Sequence, residues 1–279
     1  MDAAQNAILN SQEFLMNKHR KAAVAGMFYP DVCSEIKHMF DHFDKAMPNI
    51  ALDVIPRALI VPHAGYIYSG YTANLAYHYT ASKRSDIERV VVIGPSHRIY
   101  VAGASIALLE AYHTPCGEIE IDLAFSYALK RKFAFLDFHP MAHEEHSTEV
   151  QMPFIRQYFK QAKVIEIVYG DISHSELSSL IDEVLSDEKT LVVISTDLSH
   201  FYTEEEANKL DHTCIEAISH LDLHALTHGC EACGITGVKA MVQSALSHNF
   251  QAHFLDYRTS YARSKDASRV VGYASFVLG

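Results

Sequence analysis

The sequence predicts an α/β protein built as a three-layer sandwich, with a central, mostly parallel mixed sheet flanked by helices. Two observations support this fold class. Short apolar runs of strand length alternate along the chain with longer amphipathic runs, which is the order expected of an α/β protein. The run at 89–94 also contains four consecutive β-branched residues without polar alternation. Such a run is typical of a parallel strand that is buried on both faces.

The individual elements follow from apolar periodicity and from the turn residues between the periodic runs. Strands are expected at 57–62, 89–94, 105–109, 163–169, 190–195, 251–257 and 269–278, after an extended segment at 25–30. Helices are expected at 34–45, 69–80, 122–132, 147–160, 173–185, 203–220, 222–228 and 235–246. Residues 112–117 are predicted to form a loop.

Composition and charge are those of a globular protein, with 49% hydrophobic and 20% charged residues among 279. No linker, low-complexity tract or internal repeat divides the chain. We therefore predict a polar N-terminal extension at 1–20 and a single α/β domain at 21–279. The formal net charge of −11 argues against nucleic acid or an anionic membrane as a partner, because both require a basic face.

The five cysteines do not predict a disulfide framework, because their number is odd and their spacing irregular. Cys33, Cys116, Cys214 and Cys230 are interpreted as small apolar side chains with reduced thiols. The N-terminus lacks the pattern of a signal peptide, and no apolar run reaches the roughly 18 residues of a membrane-spanning helix. The sequence thus predicts a cytoplasmic protein.

Three of the predicted strands each deliver a histidine just past the carboxyl end. These residues are His63, His97 and His200. In open α/β sheets, ligands bind at this edge. Packing is the ordinary explanation of one such histidine, but strand geometry can bring His63 and His97 to one point. The chain also contains 18 histidines, well above ordinary usage. We interpret His63 and His97 as two ligands of a metal site.

The residues alone leave the third ligand open among Cys233, Asp197, Glu145 and His200. A carboxylate would complete the set that non-haem iron usually has. Asp197 is also suited to orienting an imidazole, and His200 to acting as a general acid or base.

Two further signals near these positions are weaker. The segment 144–146 is interpreted as solvated charge, with His146 as a second proton carrier if it lies beside the site. Cys230 and Cys233 form a single C-x-x-C, which lacks the second pair of a zinc ribbon. No G-x-S-x-G, P-loop or G-x-G-x-x-G motif is present, so a serine nucleophile and nucleotide binding have no support.

Five motifs, in order and at similar spacing, resemble those of the Memo family. They are PHAGY at 62–66, GPSH at 94–97, EHS at 145–147, STDLSH at 195–200 and CG at 233–234. The segment AGMFYP at 25–30 is similar to the start of that family, and the resemblance covers about residues 20–279. The family in turn resembles the class III extradiol ring-cleavage dioxygenases, which are non-haem iron(II) enzymes with a central sheet flanked by helices.

The resemblance implies a role for each residue of the site. His63 and His97 match the two histidine ligands, and Cys233 takes the place of the dioxygenase carboxylate. His200 is similar to the acid–base histidine, and we add Asp197 and His146 as candidate catalytic residues. A thiolate ligand favours iron(II) or copper with redox character, so one of these is the expected cofactor.

The expected function is metal-dependent redox chemistry on an unknown small substrate. One alternative is an extradiol-type dioxygenase that cleaves a catechol-like substrate. Another is a non-enzymatic adaptor whose pocket captures a peptide or a phosphorylated ligand. The family resemblance also implies radical-SAM and AMMECR1-like proteins as partners.

Overall fold

A computed structural model describes residues 19–279 of the chain. Residues 1–18 of the predicted N-terminal extension lie outside this range. Its last two residues, His19 and Arg20, form a strand. The strands are β1 (His19–Arg20), β2 (Ala58–Val61), β3 (Arg89–Pro95), β4 (Ala104–Ile106), β5 (Ala111–Thr114), β6 (Gly117–Glu120), β7 (Leu136–Asp137), β8 (Lys163–Tyr169), β9 (Thr190–Ser195), β10 (His200–Tyr202), β11 (Ala252–Thr259) and β12 (Val270–Leu278).

The helices alternate with these strands along most of the chain. They are α1 (Cys33–Lys45), α2 (Tyr71–Lys83), α3 (Leu123–Lys132), α4 (His146–Glu149), α5 (Met152–Tyr158), α6 (His174–Leu185), α7 (Glu204–Ser219), α8 (Leu223–Thr227), α9 (Ile235–Ser247) and α10 (Tyr261–Ser264). A π-helical turn, Tyr66–Gly70, precedes α2, and a 3-10 turn spans Pro140–His143. No helix within residues 19–279 has the length and apolar character needed to cross a membrane.

One mixed sheet of nine strands forms the middle layer. Its order is β10, β12, β2, β9, β3, β8, β4 and β7, with β11 also paired to β12. The central strands β2, β9, β3 and β8 are parallel, whereas β12 pairs antiparallel with β2, β10 and β11. The predicted α/β fold with helices flanking a mixed sheet is confirmed. The parallel pairing is concentrated in the centre of the sheet.

Both faces of the central strands are buried, as the unbroken β-branched run predicts. Val91 and Ile93 of β3 pack into a core shared with α6 and α9. Val90 and Val92 point to the opposite face and pack into a second core, shared with α1, α2 and α5. The sheet therefore lies between two apolar layers.

Two predicted elements differ from the structure. Residues 112–117 are not a plain loop, because β5 and β6 form a hairpin that joins β1 in a small three-stranded sheet. The predicted helix at 147–160 is divided into α4 and α5. Pro153 lies in the first turn of α5, where its missing amide hydrogen costs no helical hydrogen bond.

The prediction of reduced thiols is wrong for four of the five cysteines. Cys33 is bonded to Cys116, and Cys214 to Cys230. The partners are separated by 83 and 16 residues, but the fold brings their Cα atoms to 4.8 and 4.6 Å. Tertiary approach decides such pairing, so irregular spacing in the sequence could not exclude it. Cys233 is free.

Candidate metal site

Three imidazoles meet at the carboxyl edge of the central strands. His63 follows β2, His97 follows β3, and His146 begins α4. Their ligand atoms all lie within 4.8 Å of one another. Parallel pairing of β2 and β3 with β9 brings the first two histidines to the same edge, as the sequence predicts. We call these three residues the imidazole cluster.

His63 is held as a neutral imidazole in one tautomer. It is 2% exposed, and burial lowers its pKa to about 4. Its Nδ1 lies 3.1 Å from Ser195 Oγ, which donates its own hydrogen to the carbonyl of Ser147 and accepts one from Gln151 Nε2 at 2.8 Å. The hydroxyl oxygen must therefore accept from Nδ1–H as well. The lone pair of His63 is left on Nε2, which is the form that binds a metal.

Glu145 orients the other two histidines, although the sequence predicts solvated charge there. It is 1% exposed. Its Oε1 lies 2.7 Å from His146 Nδ1 and 3.5 Å from His97 Nδ1, and its Oε2 accepts from the His97 amide at 2.6 Å. Burial alone would raise the pKa of Glu145, but the hydrogen bonds from His146 and His97 hold that pKa well below its usual range. Because a carboxylate accepts but does not donate, its position beside both Nδ1 atoms favours the ring hydrogen there and leaves each Nε2 as the acceptor.

A glycine lets α4 approach the end of β3. A Cβ atom on Gly94 would lie 2.8 Å from Ser147 Oγ and 2.9 Å from Thr148 Cγ2. Ser147 also donates a hydrogen bond to the Pro95 carbonyl at 2.7 Å. This close contact places His146, at the start of α4, beside the β3 end that carries His97.

Cys233 lies beside His63 but is not a member of the imidazole cluster. Its Sγ is 3.3 Å from His63 Nε2. The Cys233 amide donates to the Asp197 carbonyl, and the Asp197 amide donates to Sγ, both at 3.2 Å. Burial, and then the Asp197 carboxylate, raise the pKa of the thiol to about 12. Without a metal, the residue is therefore a protonated thiol with two acceptors in reach, His63 Nε2 and the Asp197 carbonyl, the latter at 3.6 Å.

Asp197 and His200 occupy different positions around this centre. Asp197 Oδ1 accepts from the His63 amide at 2.8 Å, and Oδ2 lies 4.0 Å from His63 Nε2. His200 donates from Nδ1 to the Leu198 carbonyl, so its Nε2 remains an acceptor. It lines a surface pocket of ≈ 390 Å³ together with Cys233. The structure thus brings five of the six predicted site residues together and places the sixth, His200, in an adjoining pocket. The five are His63, His97, His146, Asp197 and Cys233.

Sequence reasoning missed two residues that shape the site. Gln151 fixes the Ser195 hydroxyl, and no motif singled it out. Phe28 packs its ring 4.8 Å from that of His146, and its carbonyl accepts from the Tyr66 amide. The signals for Phe28 were the extended character of 25–30 and its similarity to the start of the family, and neither showed which residues it packs against.

The fold and the imidazole cluster define an α/β protein with a histidine site at the carboxyl ends of its parallel strands. The Memo-like protein family matches residues 20–277. A "MEMO1 family protein" of Methanobrevibacter smithii is 36% identical and aligns with 93% of this chain and 99% of its own. Another, from Aquifex aeolicus, is 33% identical and aligns with 93% and 98%. The chain belongs to the Memo family.

A solved structure supports the fold independently. The crystal structure of an uncharacterized protein from Escherichia coli K12 matches with a TM-score of 0.55. The match covers 80% of this chain and 99% of that one, at 12% sequence identity. At this identity the likeness concerns the fold alone.

Proposed function

We propose that the chain binds one redox-active metal ion, iron(II) or copper, through His63, His97 and Cys233, and uses it in redox chemistry on a small substrate. The arrangement of donor atoms supports the proposal. Each imidazole of the cluster has its Nδ1 beside a protein acceptor, and the Cys233 sulfur lies 3.3 Å from His63 Nε2. Imidazole and thiolate are both ligands that iron and copper accept, so the residues fit the ion.

The surrounding residues have separable tasks in this proposal. When bound, the ion would supply electron transfer and a Lewis-acidic centre for an oxygen-bearing substrate. Cys233 gives up its proton on binding, whereas His63 enters already neutral. Asp197 holds the His63 backbone through its Oδ1. His200 Nε2 accepts a proton from a substrate that reaches the adjoining pocket.

His146 offers a second possible ligand set. Its ligand atom lies within 4.8 Å of those of His63 and His97, which is close enough for the three imidazoles to share one ion. Its side chain is 19% exposed. In the leading proposal it carries protons beside the ion. In the alternative set it replaces Cys233, and the site becomes three imidazoles.

Elemental analysis of protein purified without a histidine tag tests the proposal. We expect His63→Ala and His97→Ala to lose bound iron or copper, and the exposed control His38→Ala to keep it. Cys233→Ser should weaken binding and remove the thiolate-to-metal charge-transfer band of the cobalt(II)-substituted protein. His146→Ala should retain that band. Equal metal content in all of these proteins would refute the site. A band that survives in Cys233→Ser would favour the set of three imidazoles.

An extradiol dioxygenase is the second candidate, and one observation favours it. Asp197 Oδ2 lies 4.0 Å from His63 Nε2, so a carboxylate is available at the site after all. Iron(II)-loaded protein exposed to air with a panel of catechols would then release a yellow ring-fission product. Absence of that product across the panel counts against this activity.

The proposal also covers the molecules that the protein contacts and its location in the cell. A small-molecule substrate fits an edge that holds histidines and one free thiol, and radical-SAM or AMMECR1-like proteins are proposed as partners. A cytoplasmic location is proposed as well. The two disulfides are an observation against it, since reducing compartments keep most thiols unpaired.

A further inference from the structure

A buried carboxylate lies between apolar residues in the middle of β8. Glu166 is 0% exposed, and its neighbours Ile165 and Ile167 pack into the core beside α6 and α9. Glu166 is level with Val92 of β3 and faces the other side of the sheet, toward the core beside α2. A carboxylate in such surroundings costs free energy unless hydrogen bonds replace the water that it loses. The hydrogen-bond donors around Glu166 are therefore essential to its position.

Two of these donors belong to one short stretch of chain that carries part of the candidate metal site. His143 Nδ1 lies 2.9 Å from Glu166 Oε2, and Thr148 Oγ1 donates to Glu166 Oε1 at 2.5 Å. The stretch from His143 to Thr148, which we call the clamped segment, contains Glu145 and His146. A single carboxylate on β8 thus contacts both ends of the clamped segment.

Further contacts fix this pair of groups to β4 and β5. The Tyr112 hydroxyl donates to Glu166 Oε1 at 3.2 Å, and His143 Nε2 lies 2.8 Å from Ser105 Oγ. A carboxylate only accepts, so the His143 Nδ1 beside it carries a hydrogen. Burial alone would raise the pKa of Glu166, but His143 and then Arg20 hold that pKa below its usual range. Glu166 is therefore a charged acceptor in the fold.

The clamped segment depends on such contacts because its helical part is short. The helix α4 spans only His146–Glu149, and one helical turn has little stability of its own. Glu145 is the N-cap of this helix and accepts from the His146 amide. Its Oε1 also lies 3.5 Å from His97 Nδ1, on the neighbouring strand end. A shift at either end of the clamped segment would move the Glu145 carboxylate relative to His97.

We propose that Glu166 is a positioning residue of the candidate metal site. It fixes both ends of the clamped segment and thereby holds Glu145 against the Nδ1 atoms of His97 and His146. Desolvation offsets much of the attraction that a buried charge feels, so a gain in fixed geometry explains Glu166 better than a gain in stability. The inference rests on the proposed function, because it concerns the affinity of these imidazoles for a metal ion.

Removal of the Thr148 hydroxyl tests this role. Thr148→Val keeps the shape of the side chain but breaks its hydrogen bond to Glu166. The affinity for cobalt(II), a redox-stable probe for iron(II), is measured by competition with a chelator. We expect binding about 10-fold weaker in Thr148→Val, the size of effect typical of groups that orient metal ligands. Thr148→Ser should bind like wild type, because it keeps the hydroxyl.

Thr72→Val is the matched control. Thr72 is 0% exposed and donates to Asp256 Oδ2 at 2.7 Å, so this change also removes a bond from a buried threonine to a carboxylate. Thr72 lies in α2, outside the clamped segment. Both valine variants should lower the Tm of the metal-free protein, but Thr72→Val should bind cobalt(II) like wild type. An equal loss of affinity in both would reflect general destabilisation and would overturn the proposal.

A double variant tests whether Thr148 acts through Glu166. Glu166→Leu removes the acceptor of the clamped segment and should weaken cobalt(II) binding at least as much as Thr148→Val. Adding Thr148→Val to Glu166→Leu should cause little further loss, because the hydrogen bond is already absent. Additive losses would show that the two residues act separately, and would overturn the proposal. If Glu166→Leu does not fold, the Thr148 and Thr72 variants decide the question alone.

The outcomes also separate this inference from the proposed function. Equal cobalt(II) affinity in wild type and Thr148→Val overturns the role of Glu166 and leaves the metal site standing. A wild type that binds neither cobalt(II) nor iron(II) refutes the proposed function, and the role of Glu166 with it.

Discussion

Each histidine of the site is oriented by the oxygen atom beside its Nδ1. Ser195 does this for His63, and Glu145 does it for both His97 and His146. A single buried carboxylate thus sets two rings at once. The tautomer of every potential ligand is decided by a neighbour rather than by the histidine itself. Conservative changes at Ser195 and Glu145 should therefore affect metal binding without removing any ligand.

Acid should destabilise the metal-free protein through His63. Burial lowers its pKa from 6.5 to about 4 in the folded protein. As pH falls below 6.5 the unfolded chain binds a proton that the folded one does not, so stability falls by about 3 kcal/mol as pH approaches 4. Denaturant unfolding across this range should show a shallower loss in His63→Gln. The exposed control His38→Gln should follow wild type, and an unchanged slope in His63→Gln would contradict the assignment.

At the scale of elements, the site depends on a loop that fits tightly against the end of β9. The loop delivers Cys233 just before α9 begins. The next residue, Gly234, donates its amide to Thr196 Oγ1 at 2.9 Å. A Cβ atom at this position would lie 2.7 Å from Thr196 Cβ and 3.0 Å from the Ser195 carbonyl. Only glycine permits this approach, and the approach sets the distance from the sulfur to His63.

Gly234→Ala should therefore weaken metal binding without removing a donor atom. The added methyl group pushes the loop from β9 and the Cys233 sulfur from His63. We expect an affinity loss on the order of 10-fold to 100-fold, measured by competition with a chelator. Gly229→Ala is the matched control in the same loop, because its Cβ would meet only Thr213 Cγ2, at 3.3 Å. Equal affinities in the two variants would show that the loop position does not matter.

At the scale of the whole molecule, a buried carboxylate ties the N-terminal segment to the site. Glu149, at the end of α4, accepts from the guanidinium of Arg20, from the amides of Ala23 and Val24, and from the Tyr29 hydroxyl. Arg20 and Glu149 are 1% and 0% exposed. The segment that follows carries Phe28 onto His146. Stability and site geometry are thus coupled through the same helix.

Glu149→Gln should cost about 3–5 kcal/mol of unfolding free energy, because it removes the carboxylate that contacts the buried Arg20 charge. The double variant Arg20→Met with Glu149→Gln should recover part of that loss. Glu183→Gln, which breaks the exposed pair with Lys132, should cost less than about 1 kcal/mol. Chemical denaturation measures all three. A loss in Glu149→Gln no larger than that of the surface control would contradict this role for the buried pair.

The sequence predicts the part of the site that depends on local pattern. Apolar runs at 57–62 and 89–94 followed by turn residues are sufficient to place His63 and His97 at strand ends. Parallel pairing then brings them together, because parallel strands end at the same edge. The position of Cys233 came from resemblance to the family rather than from spacing.

The rest depends on contacts between distant segments. Glu145 looks solvated in sequence because two acidic residues and a histidine adjoin, and only the approach of β3 to α4 buries it. The cysteine pairs carry no sequence signal for the same reason.

The Cys214–Cys230 bond has a practical consequence for anyone who prepares this protein. It ties α7 to the loop that ends, three residues later, in the free thiol Cys233. A thiol reductant in the buffer would open that ring and would also offer a competing sulfur ligand to the ion. Metal contents measured in reduced and unreduced preparations would then refer to proteins whose Cys233 loop is tethered differently. The concentration of reductant should therefore be controlled in every metal measurement.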